Sequence, residues 1–85
     1  MLEYMFIQRE GDLEKVKTNV SEFLKYSKSE LVDRYNSMVK VGIVGVHEQA
    51  ITIVALNIVF NKVFSKSPIL ITDNIIVKLT SAIIL

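Results

Sequence analysis

The sequence predicts an all-α fold: a small bundle of three main helices plus a short C-terminal helix, in a single helical domain spanning residues 1–85. Three observations predict it. Apolar residues between Leu13 and Leu24 recur three and four apart, which is the spacing of one helix face. Ser27-Lys28-Ser29-Glu30 has the S-x-x-E pattern of a capping box. Gln49 to Phe64 is an almost unbroken apolar run, closed by Ser65-Lys66-Ser67-Pro68.

Met1 to Gln8 alternates weakly and suits either a short strand or a first helical turn. Arg9-Glu10-Gly11-Asp12 breaks it, and Asp12 is a good helix cap. The first helix is expected from Asp12 to Tyr26, with Leu13, Val16, Val20, Phe23 and Leu24 on its apolar face. Glu14, Lys15, Lys17, Thr18, Ser21, Glu22 and Lys25 occupy the wet face.

The second helix is expected from Lys28 to about Val41, burying Leu31, Val32, Tyr35, Met38 and Val39. Its short separation from the first implies an antiparallel αα-hairpin packed on the central apolar helix. Gly42-Ile43-Val44-Gly45 then predicts a junction or a sharp bend, because glycine permits backbone conformations that other residues resist.

The central helix is expected from about His47 to Phe64 and shows two apolar faces. Ile53, Leu56, Val59, Phe60, Val63 and Phe64 cover an arc of about 140°, wide enough for an intramolecular core. Ile51, Val54, Ala55 and Ile58 form a narrower face with no evident partner in the sequence, and are the candidate interface residues. Asn57 and Asn61 mark a polar line between the faces, fit for a hydrogen-bonded pair that sets register.

After Pro68, Ile69-Leu70-Ile71 should be extended. Thr72 or Asp73 can cap a last helix with Ile75, Ile76, Leu79, Ala82 and Ile83 on its face. The alternative is α+β, with a C-terminal β-hairpin formed by Ile69–Ile71 and Ile75–Leu79, since isoleucine and valine favour strands. The helix is the expectation, because a two-stranded hairpin standing alone is marginal.

The totals bound the function. Fifty-one per cent of the 85 residues are hydrophobic and mean hydropathy is +0.40. A chain of this size buries only about 60–65% of its unfolded surface. The apolar excess therefore points to an interface with a second copy or another protein. A net charge of +1 gives no support for a dedicated nucleic-acid binder. No cysteine is present, which rules out disulfides and thiolate metal sites. The N-terminus lacks the basic segment of a signal peptide, and a cytoplasmic location is expected. Val41 to Phe60 has the length of a membrane span, but His47, Glu48 and Gln49 lie within it, so no membrane role is expected.

No catalytic, metal or cofactor motif emerges. His47 has no second histidine four residues on, where Ile51 stands. Gly42-Ile43-Val44-Gly45 lacks the Gly-Lys-Ser/Thr of a phosphate loop. A helix-turn-helix would need a basic third helix, and this one is apolar. Any enzyme site would have to form between subunits, around Arg34, Tyr35, His47 or Glu48. The function expected is a small, non-enzymatic, homo-oligomeric protein-interaction module, a homodimer acting as adaptor, regulator or inhibitor, with no cofactor. The alternative is a nucleic-acid-associated regulator using Lys15, Lys17, Lys25 and Lys28 of the first hairpin.

Overall fold

The structure is a computed structural model and describes residues 3–72, 76–80 and 83. Its elements run β1 (Glu3–Met5), α1 (Asp12–Phe23), α2 (Lys28–Val41), α3 (His47–Phe64), β2 (Ile69–Thr72) and β3 (Ile76–Leu79). The fold is α+β. This corrects the all-α, helical-bundle expectation: where a C-terminal helix was expected, two strands form instead, as in the stated alternative. Asp73 and Ile75 of the expected helix lie outside the described residues, as does Ala82.

The reason for the correction lies at the other end of the chain. The sheet has order β1-β3-β2 and is antiparallel throughout. β1 pairs Tyr4 with Val77 and Met5 with Ile76. β2 pairs Ile69 with Leu79 and Ile71 with Val77. A third strand removes the objection that an isolated hairpin is unstable. The register puts Tyr4, Ile69, Ile71, Val77 and Leu79 on one face; Ile69, Val77 and Leu79 are buried and the other two pack on the core.

α2 and α3 fall where expected. Ser27 accepts from the Glu30 N–H at 3.1 Å, and the Glu30 carboxylate accepts from the Ser27 N–H at 2.9 Å, completing the capping box. These bonds hold the Glu30 carboxyl below its ordinary range, the backbone N–H acting most strongly and the hydroxyl next. α3 ends at Phe64, and its cap Ser65 takes a left-handed conformation just before the proline turn. Gly42 and Gly45 both have positive φ, 83° and 86°, so the bend between α2 and α3 needs both glycines.

α1 is shorter than expected and its start differs. Gly11, in the left-handed region, occupies the cap position and Asp12 is the first helical residue. The Asp12 carboxylate turns back to accept from the Arg9 N–H at 2.6 Å.

α3 is the centre of the molecule. α1, α2 and the sheet all pack against it, and α1 and α2 make their main contacts with α3 rather than forming a hairpin unit closed on itself. Seven of its residues are buried: Ala50, Ile51, Ile53, Ala55, Leu56, Val59 and Phe60. A helix apolar on nearly all sides is stable only when surrounded in this way. The C-terminal segment is tied to α2 by polar groups. The Tyr35 hydroxyl donates to the Thr80 carbonyl at 3.1 Å, and the Asn36 amide exchanges two hydrogen bonds with the Ile83 backbone, at 2.8 and 2.9 Å.

Candidate interaction surface

The N-terminal end of α3 carries a polar network that joins three segments of the chain. Asp12, at the start of α1, is 2% exposed, and its Oδ2 lies 2.7 Å from His47 Nε2 at the start of α3. The Arg9 N–H is the largest influence holding the Asp12 carboxyl below its ordinary range. Burial works against it, and His47 and then Lys15 support it. An ionised carboxylate only accepts, so His47 Nε2 carries the proton of this bond. The Phe6 ring stacks on the imidazole, with centroids 5.1 Å apart and planes 13° from parallel. One step away, Lys15 Nζ and Glu48 Oε1 meet at 2.8 Å on the surface. The Glu48 carboxylate raises the Lys15 pKa.

Beside this network the α2–α3 connection is clamped. The Gln49 side chain accepts from the Val44 N–H at 2.9 Å and donates to the Gly42 carbonyl at 3.2 Å. Two bonds from one amide fix the loop against α3. Ile43 points inward and is buried, while Val41, Val44 and Val46 are 71%, 63% and 52% exposed. Two more exposed apolar residues flank this end in sequence: Ile7 follows Phe6, and Leu13 follows Asp12. Apolar side chains held outward on an ordered loop form a surface that can be covered with little further loss of backbone freedom.

The four residues of the narrower α3 face fall in different settings. Ile51 and Ala55 have no exposure, Val54 is half-buried and packs on the core, and Ile58 is 41% exposed. α1 lies along the N-terminal half of α3, as the Asp12–His47 and Lys15–Glu48 contacts show. Ile58 is therefore the member of that set that faces solvent. Of the broader face, Ile53, Leu56, Val59 and Phe60 are buried, and Val63 and Phe64 pack on the core.

The other sequence candidates separate. Lys15 pairs with Glu48, Lys17 with Glu14 and Lys25 with Glu22, so much of the charge of the first two helices is met by neighbouring carboxylates. Lys28 sits over the Phe64 ring, 5.7 Å from its centroid. His47 and Glu48 take different partners, Tyr35 reaches Thr80, and Arg34 lies over the Phe23 ring. The Asn61 amide approaches Asn57 Oδ1 at 3.4 Å, at the long limit of a hydrogen bond. Among the described residues, no group of three His, Asp or Glu side chains could hold a metal ion, and no helix is long and apolar enough to cross a membrane.

Sequence reasoning missed Gln49 as a clamp and Asp12 as the partner of His47. The first had a local signal, a glutamine in the first turn of a helix entered from a glycine loop. The second had none, because the pairing joins residues from separate elements. Comparison of the chain with family models, with curated proteins and with solved structures returns no match, so the surface rests on its own geometry.

Proposed function

We propose that this protein is a small, non-enzymatic, cytoplasmic interaction module that self-associates through the apolar rim at the N-terminal end of α3, centred on Val41, Val44 and Val46. The observation that carries the reading is the Gln49 clamp. It orders the connecting loop while leaving Val44 and Val46 of that loop, and Val41 at the end of α2, outside the core. Such residues in a loop free to rearrange would fold inward or fluctuate. Fixed outward, they resemble the preorganised apolar centre of an interface. A stable dimer of standard size covers about 800 Å² on each partner, so Ile7 and Leu13 would have to join the contact.

The test is native mass by light scattering. The wild-type chain should be a dimer, and Val44→Lys a monomer with unchanged helicity by circular dichroism. A lysine at the centre of a desolvated contact should weaken association at least tenfold. Ile58→Lys should leave the mass unaltered. A monomeric wild type would overturn the reading. Dissociation by Ile58→Lys but not by Val44→Lys would move the interface to the outer face of α3.

A further inference from the structure

At the opposite end of α3 lies a cleft of about 450 Å³, lined by Val32, Phe60, Phe64, Lys66, Ser67, Pro68 and Ile83. We propose that it binds a free acyl-chain carboxylate of medium length. Its size falls in the range of small-molecule sites, about 300–1,000 Å³. Val32 and Phe60 are almost wholly buried and give it an apolar floor, and Phe64, Pro68 and Ile83 provide apolar walls.

The polar groups of the cleft suit an anion. Lys66 is exposed and lines the cleft. It has no carboxylate partner among the described residues. The Ser67 Oγ accepts from the Ile69 N–H at 3.1 Å, and a hydroxyl used as an acceptor keeps its own proton to donate. A hydrocarbon would fill the floor and leave these groups unused. A small inorganic anion would use them and leave the floor empty. A carboxylate with an apolar chain satisfies both, with the chain over Val32 and Phe60 and the head toward Lys66 and Ser67.

The proposal is tested by titrating the full chain with sodium decanoate below its micelle threshold, followed by NMR amide and methyl shifts and by calorimetry. Binding should saturate, with shifts at Val32, Phe64 and Ile83. From hexanoate to decanoate it should tighten roughly fourfold per methylene. Decanol, which has the chain without the charge, should bind about threefold more weakly, and Lys66→Met should remove that difference while leaving the circular dichroism spectrum unchanged. Val44→Lys, at the far end of α3, should bind decanoate as the wild type does, which separates this site from the association surface. The proposal fails if no saturable binding is seen up to about 1 mM. It also fails if decanoate and decanol bind wild type equally, if the shifts lie away from the cleft, or if the chain binds phosphatidylglycerol vesicles but not free decanoate.

Discussion

The two ends of α3 present different surfaces. At the N-terminal end, Asp12, His47 and Gln49 join three chain segments through side-chain hydrogen bonds, and Val44 and Val46 of the loop are left outside. At the C-terminal end, Phe60 and Phe64 stack with centroids 5.1 Å apart, Tyr35 meets Phe60 edge-on at 5.8 Å, and a cleft remains beside them. Directional bonds hold a loop in one shape with little burial. Apolar packing supplies most of the stability but leaves gaps wherever side-chain shapes do not match. The difference suggests why one end offers a raised apolar surface and the other a hollow. The ends are about 27 Å apart, from the rise of an 18-residue helix, so changes at one should leave the other intact.

The strongest challenge to this contrast is Phe60→Ala. Phe60 is 1% exposed, and its truncation should cost about 3–5 kcal/mol in urea denaturation. For a domain whose total stability is roughly 4–13 kcal/mol, that brings the chain close to unfolding. A loss below 1 kcal/mol would show that the aromatic cluster is not what holds the C-terminal end.

Gln49→Ala should act more locally. It leaves the Val44 N–H and the Gly42 carbonyl without their partner, at a cost of about 1–2 kcal/mol. Hydrogen exchange at Val44 should quicken, while amides of the β2–β3 pair keep their protection. Equal acceleration at both ends would mean that they are not independent.

Ser65→Gly is expected to stabilise. Ser65 has φ of 65°, a conformation in which a side chain costs about 1 kcal/mol and glycine does not. The midpoint of thermal unfolding should rise by a few degrees. An unchanged or lower midpoint would show that the Ser65 side chain makes a contribution that offsets its backbone strain.

Acid should produce the smallest effect near neutrality and a growing one below it. Asp12 and Glu30 both have carboxyl pKa values lowered in the folded chain. Their contribution to stability is therefore present above the unfolded carboxylate range, about pH 4, and is lost as pH falls through the folded values. Thermal melts from pH 7 to pH 2 should show this loss, and Asp12→Asn should flatten part of it. A variant with the same acid profile as wild type would remove Asp12 from the account.

Much of the helical layer was legible in the sequence, and the sheet only as the alternative to a C-terminal helix. The bounds of α2 follow from the Ser27 capping box and the Gly42 stop, and those of α3 from the glycine loop before it and Pro68 after it. Each of these signals acts within a few residues. The strands carry no such signal: Ile69–Thr72 and Ile76–Leu79 are apolar runs too short to separate helix from strand by periodicity. The candidate surface was half legible. Gly42 and Gly45 marked the connecting loop as a bend, but nothing local said that its valines would stay outside. Ile51 and Ala55 seemed free in the sequence because a helical repeat shows that a face is apolar without showing what covers it.

What the sequence by itself determined is the presence and limits of the central helix, together with its need to be surrounded, because capping, proline geometry and hydrophobic periodicity are short-range. What only the tertiary structure decided is which elements surround it. β3 becomes a strand because β1, from the far end of the chain, supplies its second partner, and Asp12 finds His47 because α1 lies along α3. Both depend on contacts between distant segments, whose stabilisation is realised only once the chain has closed on itself.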